Sequence, residues 1–311
     1  MARILVTGAA GFIGAALCPA LAVRGHAVTA GLRRAGPAPN GGAPVVLGDI
    51  GPATDWSTAL RGVDVVVHLA QRAHAGDDPA LLAAEPAATA ALVRALAAAG
   101  GRRLVLVSSV KAMGEATAPG RPFRPDDEPG PEDAYGRTKL AGERCAVAAA
   151  RDTGVELVVI RSPLVYGPGV TANFAALVRL AASGLPLPFA GVDNRRSLIA
   201  RDNLADLLAV ATTHPAAAGM ILLARDGEDV STPALIRALA AAAGRTPRLF
   251  AVPDMVFALL RKLPGIGPRL SRLTLSLQVD DSTTRTRLGW RPPVPAAEAL
   301  AATARAVVHS L

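Results

Sequence analysis

The chain has 311 residues, 51% of them hydrophobic and 19% charged, a composition that fills a large core and excludes extended disorder. Its formal charge of +8 invites nucleic acid as a partner, but the arginines are scattered and only 3% of residues are aromatic, so stacking platforms are scarce and no nucleic acid is expected. A basic excess serves an anionic small substrate equally well.

Two cysteines, Cys18 and Cys145, are too few for a disulfide framework. The five histidines (His26, His68, His74, His214 and His309) are dispersed, so no metal is expected.

The run from residue 4 to 23 carries no charge and superficially suggests a signal peptide or a membrane span. Gly8, Gly11, Gly14 and Pro19 punctuate it, however, and a strand followed by a glycine loop accounts for them. No membrane partner is therefore expected, and the protein is placed in the cytoplasm. Apolar, β-branched runs at 3–7, 27–32, 45–47, 63–69, 104–108 and 156–161 read as parallel strands covered on both faces. Alanine-rich stretches at 12–24, 81–99 and 134–152 read as the helices between them. The alternation predicts a doubly wound α/β sheet.

Thr7-Gly8-Ala9-Ala10-Gly11-Phe12-Ile13-Gly14 lies between the first strand and the first helix. Gly8 permits the tight turn, Gly11 lets the backbone approach a pyrophosphate, and Gly14 lets helix and strand pack closely, as in a Rossmann dinucleotide site. The helix N-terminus then offers N–H groups and partial positive charge to the phosphates. The second strand ends in Leu32-Arg33-Arg34 with no acid to hold a ribose 2′-hydroxyl. Arg33 or Arg34 can clamp a 2′-phosphate, so NADP(H) is expected in preference to NAD(H); two solvated arginines are the plainer alternative. Asp49-Ile50 is read as the close of the third strand and His68-Leu69-Ala70 as that of the fourth, the first placed to reach adenine and the second to line the cleft, with simple strand-end residues as the alternative for either.

Only three lysines (Lys111, Lys139 and Lys262) and two tyrosines (Tyr135 and Tyr166) occur among so many arginines. Tyr135 and Lys139 stand four apart on one face at a helix start. A nearby ammonium stabilises a phenolate, which turns an otherwise sluggish phenol into an acid–base group.

The glycine turn, Tyr135-Gly136-Arg137-Thr138-Lys139, and Ser108-Ser109 at the end of the preceding strand resemble the extended short-chain dehydrogenase/reductase family. The resemblance implies Ser109, Tyr135 and Lys139 as the catalytic group, Ser109 being matched by its spacing to Gly114. It implies cofactor contacts from Gly8, Gly11, Phe12, Ile13, Gly14, Arg33, Arg34, Asp49, Ile50, Leu69, Ala70, Ser108, Tyr135, Lys139, Pro163 and Val165. Two departures stand out: Glu85-Pro86-Ala87-Ala88-Thr89 where the family often has Asn-Val-x-Gly-Thr, and Met113 where it often has Tyr.

Beyond about Gly167 the strand runs shorten and Pro and Gly increase, and Ser231-Thr232-Pro233 reads as a helix start with Gly244 as its stop. Residues 1–168, with a contribution from about 196–226, are expected to form the dinucleotide-binding domain, and 169–311 mainly a smaller substrate-binding α/β lobe. Asn173-Phe174, Asn194 to Leu198, Ser276 to Asp280 and Leu288-Gly289-Trp290 resemble a narrower group acting on UDP-sugars, closest to bacterial 4-ketoreductases and 4-epimerases. By that likeness Asn173, Arg196 and Arg272 hold the diphosphate and Lys111 touches the substrate, a solvated loop lysine being the alternative for Lys111. The expected function is NADPH-dependent reduction of a 4-keto nucleotide sugar such as a UDP-linked deoxyhexose. The rivals are a UDP-hexose 4-epimerase with tightly held NAD and a non-catalytic NADP-binding regulatory protein. Relatives imply a homodimer through two helices of the Rossmann half.

Overall fold

The computed structural model describes residues 1–70 and 79–309. His74 lies outside the described residues, as do the first residues past Ala70. In chain order the elements are β1 (Arg3–Thr7), α1 (Gly14–Val23), β2 (Ala27–Leu32), β3 (Gly42–Val46), β4 (Val65–His68), α2 (Pro79–Ala98), β5 (Arg103–Ser109), α3 (Ala134–Thr153), β6 (Glu156–Ser162) and β7 (Leu164–Tyr166). There follow α4 (Ala172–Ala182), β8 (Pro186–Leu187), β9 (Leu198–Ala200), α5 (Arg201–Thr213), β10 (Ile221–Leu223), α6 (Thr232–Ala242), β11 (Arg248–Leu249), α7 (Asp254–Leu260), α8 (Gly267–Thr274), α9 (Ser282–Leu288) and α10 (Ala296–His309).

Seven strands make one parallel sheet in the order β10-β6-β5-β4-β1-β2-β3. The order reverses between β1 and β4, and ligands of such sheets bind outside the carboxyl ends of the strands at that point. Alternation along β1 sends Ile4 and Val6 to one face, with α1 and α5, and Leu5 to the other, with α2 and α3. Both faces are thus buried, which explains strands that are apolar at every position. The third strand differs from expectation. It begins earlier, at Gly42, and ends at Val46, because Gly48 turns the chain at φ 67° before Asp49 is reached. β10 joins the sheet edge from beyond residue 200, beside β6.

The C-terminal part has its own core, in which Phe174, Leu177 and Val178 of α4 meet Leu235, Ile236 and Leu239 of α6 and Leu300 and Ala304 of α10. Its strands are short: β8 pairs with β11 and β7 with β9. Among the described residues no helix is long and apolar enough to cross a membrane, and no cluster of His, Cys, Asp and Glu is arranged to hold a metal ion.

Candidate active site

The carboxyl ends of β1 and β4 are joined by Thr7. Its hydroxyl bonds His68 Nδ1 at 2.8 Å and accepts from the backbone N–H groups of Leu69 and Ala70, each at 3.2 Å. His68 is fully enclosed, and burial, followed by the nearby Lys139 ammonium, pushes its pKa down to about 3, so the ring is neutral. Against this seam sits the glycine loop. Gly8 is at φ 69°, and a Cβ there would lie 2.9 Å from Ala70 N; one on Gly14 would lie 2.5 Å from two backbone oxygens. α1 then begins with no side-chain cap and no acid in its first turn. An uncapped, acid-free helix end behind a glycine turn fits a dinucleotide pyrophosphate. Ile13 packs on the core beneath the loop, and Phe12 lies under the Arg201 guanidinium, 5.5 Å from the ring centre.

At the ribose end, Arg33 is held by Asp49, Nε to Oδ1 at 2.7 Å and Nη2 to Oδ2 at 3.2 Å, while Arg34 is exposed. Arg33 is therefore already neutralised by a carboxylate lying beyond the third strand. The neighbouring Ile50 packs on the core under the sheet.

β5 ends in two serines that face opposite ways. Ser108 is buried and donates to Glu143 of α3, which in turn grips Arg161 of β6 at 2.6 Å. Its side chain thus belongs to an internal network that also takes in the Met113 sulfur, rather than to a cofactor contact. Ser109 lies beside the Tyr135 phenol, whose pKa it pulls down, and its hydroxyl accepts from Lys111 N at 3.2 Å.

α3 can bring Tyr135 this close because Gly136 follows it: a Cβ there would lie 2.3 Å from the Lys111 carbonyl oxygen. Asp133 caps the helix by accepting from Gly136 N at 2.6 Å. One turn on, Lys139 Nζ stands 5.1 Å from the centre of the Tyr135 ring. It also pairs with Glu85 of α2 at 2.7 Å, with only 2% of the lysine side chain exposed. Burial, then the Glu85 charge, pushes the Tyr135 phenol up to about 12, against the pull of the Ser109 hydrogen bond. Burial lowers the Lys139 pKa, and Glu85 and Glu143 oppose that. Glu85 is thus part of the site although the sequence reading singled it out only as a departure from pattern. Its position on a helix said nothing of the buried ammonium opposite.

Lys111, expected at the substrate, is shared between Glu115 at 2.6 Å and Asp133 at 2.5 Å, so it is an ion-paired bracket at the site's rim. Arg196 and Arg272 are brought together: burial and then the Arg272 charge lower the Arg196 pKa to about 10. Arg196 is fixed by donating to the Leu275 carbonyl at 3.1 Å. Arg196 is half-buried and Arg272 exposed, near enough for their charges to repel, so an anion meeting them would relieve that repulsion. Asn173 stands exposed in the first turn of α4, and among the described residues no hydrogen bond joins it to these arginines. Pro163 and Val165 line the turn from β6 into β7, and Val165 packs on the Rossmann core.

A glycine cradle at the switch point, with a serine, tyrosine and lysine converging beside it, is the arrangement of one large family, and its profile (NAD dependent epimerase/dehydratase) matches residues 4–222. The chain belongs to that family. It is 40% identical over 314 residues to a UDP-glucose 4-epimerase of Vibrio cholerae, covering 99% of this chain and 96% of that protein. Among solved structures it superposes on MoeE5 in complex with UDP-glucuronic acid and NAD, with a TM-score of 0.78 and 26% identity, over 99% of this chain and 100% of that one. The UDP-glucuronic acid 4-epimerase of Bacillus cereus in complex with NAD shares the fold, at a TM-score of 0.78 and 24% identity, over 99% of each chain. As an epimerase/dehydratase family member, the chain is an enzyme of the extended short-chain dehydrogenase/reductase type.

Proposed function

We propose that this enzyme is a UDP-hexose 4-epimerase that keeps NAD bound through turnover. The observation that carries the reading is the full-length likeness to a UDP-glucose 4-epimerase, together with the assembled Ser109, Tyr135 and Lys139. It replaces the reductase favoured on sequence grounds. The preference for NADP(H) weakens as well. Arg33 is occupied by Asp49, and a 2′-phosphate would have to displace or neighbour that carboxylate.

In this reading residues 1–168, with about 196–226, hold the cofactor, and 169–311 mainly hold the sugar nucleotide. Gly8, Gly11, Phe12, Ile13 and Gly14 receive the pyrophosphate, Leu69, Ala70, Pro163 and Val165 line the cleft, and Arg196, Arg272 and Asn173 receive the UDP diphosphate. NAD held there would supply a reversible hydride acceptor for C4 of the sugar, which is what inversion at that carbon requires. Tyr135 removes the proton of the 4-hydroxyl and later returns it. Ser109 hydrogen-bonds the same oxygen, and Lys139 supplies the positive charge that makes the phenolate accessible. A homodimer through two Rossmann helices and a cytoplasmic location complete the proposal.

The test is to purify the protein without added cofactor, release its nucleotide by denaturation, and incubate the native enzyme with UDP-glucose. The expected result is stoichiometric NAD and catalytic formation of UDP-galactose with no net change in reduced cofactor. Purification without nucleotide, followed by stoichiometric NADPH consumption on a 4-keto sugar nucleotide and no interconversion, would return the reductase.

A further inference from the structure

The C-terminal lobe carries an apolar surface on α7 and the tip leading into α8 that includes none of the residues assigned above to the sugar nucleotide. Between residues 255 and 266 five large apolar side chains stand in solvent: Met255 (81% exposed), Val256, Leu259 (67%), Leu263 and Ile266 (57%). In α7 only Phe257 is buried, stacked on Phe189 with ring centres 6.1 Å apart. A surface helix ordinarily shows polar residues opposite its buried stripe. Scattered exposed apolar residues need no explanation, but a concentration of this kind marks an interaction surface.

The charges around it are mostly positive. The tip Leu263-Pro264-Gly265-Ile266-Gly267-Pro268 is uncharged, with Arg261-Lys262 before it and Arg269 after it. The tip is pinned rather than loose: Gly267 is buried, and a Cβ there would lie 2.1 Å from the Arg261 carbonyl oxygen. Lys262 and Arg269 are exposed, and Asp254 is the single acid from 253 to 274.

We propose that the α7–α8 segment docks this enzyme on an anionic lipid surface, with Met255, Val256, Leu259, Leu263 and Ile266 entering the boundary between headgroups and acyl chains and Lys262 and Arg269 meeting lipid phosphates. Charge decides the occupant. A second copy seated face to face would set Lys262 and Arg269 against their own counterparts with one aspartate on each side to offset them. An anionic leaflet neutralises both, and an apolar tip flanked by cations matches the shallow insertion of interfacial segments.

The full-length protein is co-sedimented with vesicles of phosphatidylcholine alone or mixed with phosphatidylglycerol. Binding to the anionic vesicles is expected to be about tenfold or more tighter, the scale that two basic side chains supply at such a surface, and to fall with salt. Leu263→Glu/Ile266→Glu should abolish binding, and Lys262→Glu/Arg269→Glu should remove the preference for phosphatidylglycerol, both at unchanged thermal stability. Equal sedimentation with both vesicle types, or none with either, overturns the proposal. So does sedimentation velocity showing a larger species that Leu263→Glu/Ile266→Glu dissociates while vesicles bind neither protein, since the occupant is then a second copy.

Discussion

The Rossmann half is centred on β1, β4, β5 and β6, strands of four to seven largely buried residues, with charged groups set inside it at Ser108, Glu143 and Arg161 and at Lys139 and Glu85. The lobe beyond residue 169 has strands of two or three residues and is laced by side chains bonding to backbone. Asn194 alone donates to the Leu273 and Leu275 carbonyls at 3.3 and 3.2 Å and accepts from Thr232 N at 2.8 Å. Apolar strand packing suits the part that positions reacting atoms, because it fixes them on rigid elements. Individually placed hydrogen bonds suit the part proposed to hold the substrate, because single residues there can change without disturbing the sheet.

Five substitutions would break or sharpen that contrast, beginning with the largest effect. Tyr135→Phe should cost ~10²–10⁴-fold in turnover while NAD titrates normally, since only the proton transfer is removed. Near-normal turnover would remove Tyr135 from the chemistry. Glu143→Ala should cost about 3–5 kcal/mol in denaturant unfolding, because Arg161 is then buried and unpaired. Asn194→Ala in the lobe should cost less, about 1–3 kcal/mol; the reverse order would mean the lobe is the stiffer part. Arg196→Ala should weaken UDP binding roughly 10–100-fold by calorimetry, the worth of a lost charged hydrogen bond, with melting little changed. The subtlest is Glu85→Gln. The Glu85 carboxylate disfavours the Tyr135 phenolate, so its removal should lower the phenol pKa and move the acid limb of the kcat–pH profile to lower pH. An unmoved limb, or one displaced upward, would show that Glu85 merely packs.

Much of the Rossmann half was legible because parallel strands buried on both sides are written as apolar runs; 3–7 and 27–32 match β1 and β2 at both ends. The third strand was misjudged because Gly42 and Pro44 disguise its start and Gly48 cuts it before Asp49. Tyr135 and Lys139 stood out through scarcity. Their neighbour Glu85 comes from 54 residues earlier in the chain, and no local pattern expresses a contact between two helices. The Arg33–Asp49 pair was invisible for the same reason, and it weakens the cofactor argument drawn from Arg33 and Arg34 alone. In the lobe, β8 and β11 are too short to leave a periodicity, since tertiary pairing makes them strands.

Thr7 and His68 give the seam between β1 and β4 a particular weakness. An imidazole kept neutral down to about 3 in the folded chain regains its ordinary value near 6.5 when the chain opens. Below that value the open form takes up a proton that the closed form refuses, so each step toward acid favours opening. The hydroxyl that gathers Leu69, Ala70 and the ring is at that same spot. Mild acid should therefore erode the stability of this seam, by about 2 kcal/mol at pH 5 relative to neutral buffer, which denaturant unfolding across that pH range would read.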